Sequence, residues 1–195
     1  MISRLLKLLI AATLILGVWE VVGAGKIYAK AWLAQQLLER AWHRTLEGER
    51  RVRPWPWADT WPVAELTVPR LGLSQIVLSG DSGRVLAFGP GHAEASAAPG
   101  ANGTTLISGH RDTSFGFLRS IQDGDIIELN SPAGKFSYTV SERSIVDQRH
   151  FSVDIPNREL QSESSLMLVT CYPFDALEPG GNERFIVLAK GVVSS

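Results

Sequence analysis

Cys171 is the only cysteine in this chain of 195 residues, and it lies in the run Leu168-Val169-Thr170-Cys171-Tyr172-Pro173. An apolar segment at the N-terminus indicates export, and a single thiol in an oxidising compartment cannot form an internal disulfide. A free thiol there is a liability unless it is buried or takes part in chemistry. The two interpretations are a buried, inert cysteine and a nucleophile, and two cations elsewhere in the chain favour the nucleophile.

These cations are His110, which follows the predicted strand Thr104–Ser108, and Arg184, which opens the last predicted strand. A thiol is mostly protonated at neutral pH unless a nearby cation favours the thiolate. An imidazole can protonate a departing amine, because free histidine titrates near neutral pH. A guanidinium can donate hydrogen bonds to the oxyanion of a tetrahedral intermediate or to the substrate backbone. The three side chains together are typical of acyl transfer through a cysteine.

Other polar residues are candidates for substrate contacts. Thr170 stands beside the cysteine, and His92 follows a Gly-Pro-Gly turn, either as a structural loop residue or as part of a substrate groove. Asp112 lies in the loop after His110, the candidate general acid, and it either orients the imidazole or makes turn contacts. His43 and His150 have no comparable context.

The charge balance argues against nucleic acid as a partner. Lys and Arg number 19 and Asp and Glu number 20, which leaves a net charge of −1 and no basic excess to neutralise phosphates. A metal site would have to combine His92, His110 and Cys171, which include no closely spaced ligand pair. We therefore expect no metal and no cofactor.

The N-terminus predicts a membrane anchor. Arg4 and Lys7 precede an apolar run over residues 8–25, which as a helix would be about 27 Å long, close to the hydrocarbon thickness of a bilayer. The cations place the N-terminus in the cytoplasm and the rest of the chain in the periplasm or outside. A cleaved signal peptide with Val22-Gly23-Ala24 before the cleavage site is the alternative, and it exports the chain equally.

A second helical pattern follows the anchor. Residues Lys26–Arg51 contain no proline and have apolar side chains at helical spacing, which predicts an amphipathic helix. It could be a spacer, a helix packed on the following domain, or a coiled coil. A linker then interleaves prolines and tryptophans: Pro54, Trp55, Pro56, Trp57, Trp61 and Pro62.

From residue 63 the chain consists of short β-rich segments separated by Gly, Pro, Asn and Asp, which is typical of a sandwich or a closed barrel. A short helix is predicted over Phe115–Ile121. The predicted strands are Val63–Val68, Leu73–Ser79, Thr104–Ser108, Ile126–Leu129, Lys135–Val140, Leu166–Thr170 and Arg184–Gly191.

The order and spacing of several motifs between about Ala64 and Val192 resemble those of the sortases, cysteine transpeptidases of bacterial surfaces. The motifs are Pro99-Gly100 with Gly103, Ser108-Gly109-His110-Arg111-Asp112, Phe115 with Leu118, Gly124-Asp125-Ile126-Ile127, Leu168-Val169-Thr170-Cys171, and Arg184. The run Thr170–Phe174 most resembles the sortases of Gram-negative bacteria. The family usually has Thr four residues before the nucleophile, where this chain has Met167.

This resemblance implies a mainly β fold, a closed eight-stranded barrel with short helices, with Cys171, His110 and Arg184 on neighbouring strands. The corresponding domains are a signal-anchor over 1–25, the helix and linker over 26–62, and the catalytic barrel over 63–195. The implied partner is a surface or periplasmic protein with a C-terminal sorting signal, and the acceptor amine stays open. The implied location is the bacterial inner membrane.

The implied reaction is cleavage of the Thr–Gly bond in a Leu-Pro-x-Thr-Gly-like signal through a thioacyl-enzyme, followed by transfer to an amine. Two other classes compete. A cell-wall transpeptidase with a cysteine nucleophile usually has its histidine and cysteine close in sequence, unlike His110 and Cys171. A membrane-anchored β domain that binds a partner, with Cys171 buried, would need no catalysis.

Overall fold

The computed structural model of the protein describes residues 2–149, 163–176 and 181–192. His150, residue 1 of the predicted anchor and residues 193–195 of the predicted barrel domain lie outside the described residues. The chain divides into two compact units, Met1–Leu37 and Leu38–Ser195. The predicted domain limits at 25 and 62 stay predictions.

The predicted anchor and the predicted amphipathic helix are one continuous helix, α1 (Ile2–Leu46). It ends because Gly48 adopts a φ of 100°, a conformation that suits glycine and lets the N–H groups of Gly48 and Glu49 bond back to the carbonyls of Thr45 and Arg44. The prediction that the helix continues to Arg51 is therefore wrong by five residues.

Within the described residues, α1 is the one helix long and apolar enough to cross a membrane, a property that a signal sequence would share. Up to Leu33, its described apolar side chains are exposed, including Leu14, Ile15 and Trp19. Exposed apolar surface on this scale is what a lipid environment would cover.

The last turns of α1 have a different environment, because they belong to the unit that contains the barrel. Leu38 is 1% exposed and packs with Leu78 and Val85. In the linker, the Trp55 ring lies 4.8 Å from the ring of Phe88. For this part of the helix the structure supports packing on the domain over a spacer or a coiled coil.

The described residues of the second unit form a closed barrel of eight strands, as the sequence predicted. Around the barrel the strands follow the order β1-β2-β3-β4-β7-β8-β6-β5. The strands are β1 (Pro62–Val68), β2 (Leu73–Ser79), β3 (Gly91–His92), β4 (Gly103–Ser108), β5 (Ile126–Ser131), β6 (Gly134–Asp147), β7 (Ser164–Tyr172) and β8 (Glu183–Gly191).

Every predicted strand is present, and the differences have local causes. β3 has two residues, too few for an alternating pattern to reveal. β6 continues seven residues beyond its predicted end at Val140, past an irregularity between Val140 and Glu142 in its pairing with β8. The predicted helix at 115–121 is a 3₁₀ helix, Gly116–Ser120, and further short helices are 3₁₀ Pro69–Leu71 and α2 (Gly83–Leu86).

The barrel interior is filled by alternate residues of each strand, as in β4, where every second side chain is buried. Phe115 and Leu118, which precede and belong to the 3₁₀ helix, are fully buried in the same core. The strand side chains of this core include Leu66, Val77, Ile107, Ile127, Leu129, Tyr138, Leu166, Leu168 and Val187.

An ion pair between a half-exposed arginine and a buried carboxylate fixes the loop before β5. Arg70 donates from Nε and Nη2 to the two carboxylate oxygens of Asp125, over 2.5 and 2.6 Å, and Gln122 N donates to the same carboxylate over 2.7 Å. The Asp125 side chain is 6% exposed. The hydrogen bonds from the Arg70 guanidinium lower the pKa of the Asp125 carboxyl.

We predict that Asp125→Asn lowers the free energy of unfolding by about 2 kcal/mol at neutral pH, because the charge-assisted bonds are lost. The pKa of the Asp125 carboxyl is lower in the folded than in the unfolded protein. Its contribution is therefore present above the unfolded value, about 3.9, and is lost as the pH falls through the folded value. The difference between wild type and variant should shrink in that acidic range, as measured by urea denaturation followed by circular dichroism.

Asp123→Asn is the matched control. Asp123 pairs with Arg143 over 2.7 Å in the same loop, but its side chain is 61% exposed. An exposed pair contributes at most about 1 kcal/mol. An equal loss in both variants would contradict the importance we give to burial of the Asp125 carboxylate.

Candidate active site

The pairing of β4 with β7 sets the position of the predicted nucleophile relative to the predicted acid. The two strands are parallel, with Ser108 opposite Val169, and Gly109 N donates to Val169 O over 3.2 Å. β4 ends at Ser108, and the same offset carried two residues further would bring His110 level with Cys171.

The pairing of β7 with β8 adds the third residue. These strands are antiparallel, and Cys171 is the direct partner of Arg184. Directly opposite residues have their side chains on the same face of a sheet. The register therefore places Cys171 and Arg184 on one face of two neighbouring strands, and His110 follows the end of β4, the strand on the other side of β7.

That face is the outside of the barrel. Thr170 and Leu168 are buried toward the interior, whereas Cys171 is partly exposed and carries a free thiol. The partial exposure argues against the alternative of a buried, structural cysteine. Met167, four residues before Cys171, is 8% exposed and lies in the strand as a packing residue.

The backbone that carries His110 is held closely. Its carbonyl accepts hydrogen bonds from Phe115 N over 2.9 Å and from Thr113 N over 3.3 Å. The preceding Gly109 lies against the fully buried Phe115 ring, so that a Cβ at position 109 would come within 2.6 Å of the Phe115 Cγ. Only glycine fits at position 109 without a shift of its surroundings. The His110 side chain itself is exposed.

The guanidinium of Arg184 is oriented by the chain around it. Nη1 donates to the carbonyls of Gly181 and Glu183 over 2.6 and 2.8 Å, and Nη2 donates to Oε1 of Gln148. A guanidinium has five N–H groups. Two of them have no acceptor within the described residues, and these are the donors that an oxyanion or a substrate carbonyl could use.

The three candidate substrate contacts lie in different environments. Thr170 is 2% exposed, and its hydroxyl donates to Gly109 O over 2.7 Å. His92 is buried in β3, with Nε2 2.8 Å from Ala97 O. The side chain of Asp112 is 68% exposed.

Consequently Asp112 is the one of these three whose side chain is open to solvent. The hydroxyl of Thr170 and the ring of His92 are occupied by protein acceptors. A substrate contact by any of the three stays a prediction.

Arg111 lies in the motif around His110, but its sequence context predicts no function for it. In the structure it is 5% exposed, and it donates from Nη1 to Pro173 O and from Nη2 to Ala176 O, each over 2.8 Å. Charged residues flank it on the chain, and nothing in the local pattern distinguishes a buried arginine from an exposed one. Only the position of Pro173 and Ala176 in space reveals it.

No group of three or more His, Cys, Asp or Glu side chains among residues 2–149, 163–176 and 181–192 could hold a metal ion. The predicted site consists of a thiol, an imidazole and a guanidinium. This combination suits nucleophilic attack on a carbonyl with acid catalysis of the leaving group.

Comparisons with known proteins agree with the fold and with the motifs. A family model described as the Sortase domain matches residues 66–192. The Sortase D of Bacillus subtilis (strain 168) is 33% identical over 129 residues, which are 65% of this chain and 62% of that protein. The match thus spans less than two thirds of the length of this relative.

Solved structures show the same fold. A Clostridium perfringens Sortase D5 transpeptidase superposes with a TM-score of 0.63 at 24% identity, over 82% of this chain and 98% of that one. A Streptococcus pneumoniae Sortase C superposes with a TM-score of 0.57 at 25% identity, over 67% and 66%. These relatives do not support the more specific resemblance to the sortases of Gram-negative bacteria. The barrel and the match of the family model over residues 66–192 establish that this chain belongs to the sortase family.

Proposed function

We propose that the protein is a membrane-anchored cysteine transpeptidase that cleaves the Thr–Gly bond of a Leu-Pro-x-Thr-Gly-like sorting signal. The observation that supports this proposal is the pairing of the strands, in which Cys171 is opposite Arg184 and the strand that precedes His110 runs beside β7. Nucleophile, acid and oxyanion donor are the three parts that acyl transfer through a thioester requires.

In the first half of the reaction, the Cys171 thiolate attacks the threonine carbonyl carbon, and a carbon–sulfur bond forms. The tetrahedral intermediate collapses, the carbon–nitrogen bond breaks, and His110 donates a proton to the departing amine of glycine. The product is a thioester between threonine and Cys171. Protonation by His110 matters because an unprotonated amide nitrogen is a poor leaving group.

In the second half, an incoming amine attacks the thioester carbonyl and gives its proton to His110. The carbon–sulfur bond then breaks, and the sulfur leaves as thiolate. Water can take the place of the amine and release the free acid. The partial exposure of Cys171 and the exposure of His110 leave room for both the donor and the acceptor.

Two N–H groups of Arg184 lack an acceptor within the described residues. We propose that these two groups bind the oxyanion or the adjacent substrate backbone. The bonds from Arg184 to Gly181 and Gln148 hold the guanidinium before a substrate arrives. Donors that are already oriented need no reorganisation when the charge develops.

The proposed partner is a surface or periplasmic protein with a C-terminal sorting signal, and pilin substrates are named for the Streptococcus pneumoniae Sortase C. We place the enzyme in the inner membrane through α1, with its N-terminus in the cytoplasm. The apolar, exposed side chains of α1 before Leu38 support this location.

The proposal predicts a covalent adduct. Full-length protein in detergent, mixed with a Leu-Pro-x-Thr-Gly peptide and no amine, should gain the mass of the acyl fragment on Cys171 in intact-protein mass spectrometry. Cys171→Ala should gain none. A wild-type protein that acquires no adduct and releases no glycine peptide would support the competing interpretation of a non-enzymatic binding domain.

We predict that Arg184→Ala lowers kcat about 10²- to 10³-fold, the usual effect of removing an oxyanion donor. His110→Ala should lower kcat about 10²- to 10⁴-fold, because the leaving amine loses its acid. Turnover measured by chromatography of the released glycine peptide checks both. The controls are Arg84→Ala, which removes an exposed arginine paired with Asp59, and His43→Ala on the exposed side of α1. Comparable losses in the controls would overturn the assignment.

We also predict that Gly109→Ala lowers kcat and changes the affinity for the peptide little. The new methyl group would lie within 2.6 Å of the Phe115 ring, so either the ring or the backbone before His110 must move. A displacement of about 1 Å at a reacting group can cost about 100-fold in rate. Gly124→Ala, with no heavy atom within 4 Å but a φ of 88°, is a control for backbone strain alone. Equal kcat in wild type and Gly109→Ala would contradict the prediction.

A further inference from the structure

The backbone ladder between β4 and β7 stops just short of the reacting pair. Within the described residues, the last main-chain hydrogen bond between the two segments joins Gly109 N to Val169 O. His110 and Cys171 are each beyond that bond. Some other interaction must keep the two chain segments together at the level where chemistry would occur.

Two side-chain interactions take over where the ladder ends. On the barrel side, the Thr170 hydroxyl donates to Gly109 O over 2.7 Å. On the far side, the Arg111 guanidinium donates to Pro173 O and to Ala176 O, each over 2.8 Å. The candidate acid and nucleophile thus lie between two cross-connections, one before them and one after them.

The carbonyls that Arg111 binds belong to a single turn. Ala176 N donates to Pro173 O over 3.4 Å, so the chain after the nucleophile folds back on itself within five residues of Cys171. A planar guanidinium can bind two acceptors with a fixed geometry, whereas an ammonium cannot. Arg111 therefore sets both the position and the shape of this turn.

Burial of the Arg111 guanidinium costs free energy, because its charge loses hydration. At 5% exposure its charge has little water around it, and the carboxylate of Asp112, 3.5 Å from Nε, is mostly solvated. Removing a charge from water costs several kcal/mol unless hydrogen bonds replace the lost hydration. The two carbonyls supply part of that replacement, which couples the stability of Arg111 to the correct placement of the turn.

We propose that Arg111 is a positioning residue for the transfer reaction, holding the chain after the nucleophile Cys171 against the segment that carries His110. This inference rests on the proposed function for its effect on turnover, but its structural part does not. It predicts that loss of the guanidinium separates acid from nucleophile while the outer surface that binds peptide is largely retained.

The variants to compare are Arg111→Met and Arg111→Lys, in the full-length protein in detergent, with turnover and folding measured together. Arg111→Met should lower kcat by about 10- to 100-fold and change KM by less than about threefold, because geometry and not binding is lost. Arg111→Lys keeps the charge without the fork and should lower kcat about tenfold. Wild-type kcat in Arg111→Lys, or a fall that merely equals the loss of folded protein, would overturn the proposal.

Arg119→Met is the matched control. Arg119 donates to Phe174 O over 3.3 Å and lies 5.4 Å from the centre of the Phe174 ring, so it contacts the same turn, but from the 3₁₀ helix and not from the His110 segment. Its kcat should stay within about threefold of wild type. A fall as large as that of Arg111→Met would mean that anchoring the turn from any side suffices, which contradicts a specific role for Arg111.

A second measurement needs no substrate. Iodoacetamide reacts with the thiolate form of a cysteine, so the alkylation rate reports on the surroundings of the Cys171 sulfur without any substrate. Arg111→Met should slow alkylation about tenfold at neutral pH, and Arg119→Met should not. An unchanged or faster rate in folded Arg111→Met overturns the inference. A wild type that is inert toward peptide would instead overturn the proposed function, and the alkylation rates would still decide the role of Arg111.

Discussion

The parallel pairing of β4 with β7 is the constraint on which the site depends. A change of register by one residue in a strand turns every side chain to the opposite face. Such a change in β7 would move Cys171 into the barrel and bring Thr170 to the outside, in place of the observed arrangement. The apolar residues of β7 that fill the interior, such as Leu166 and Leu168, therefore also determine that the thiol faces outward.

The sequence allowed many of the strands to be predicted, since short β-rich segments alternate with turn-forming Gly, Pro, Asn and Asp. β2 was predicted at its observed limits, and the last strand to within one residue. β3 was missed, because two residues carry no periodicity. The end of α1 was misplaced, because Gly48 is tolerated within helices in other contexts and only its φ shows that it terminates this one.

The candidate site divides in the same way. Cys171, His110 and Arg184 are predicted from the motifs in which they lie, and the strand pairing places Cys171 opposite Arg184, while their catalytic roles stay a prediction. The contacts of Arg111 could not be predicted, because its partners are main-chain carbonyls more than sixty residues away, and a carbonyl has no signature in the sequence. For His92 the turn sequence left a structural loop residue and a groove residue both open, and the structure shows the ring buried beside Ala97 O.

The helix α1 shows how one element can satisfy two environments. The described apolar side chains up to Leu33 are exposed, which suits a solvent as apolar as the side chains themselves. From Leu38 onward only one side is buried, through Leu38, Ala41 and Thr45, while His43 and Arg44 are exposed. The same helix can carry both patterns, because its backbone hydrogen bonds are satisfied within the segment in lipid and in water alike.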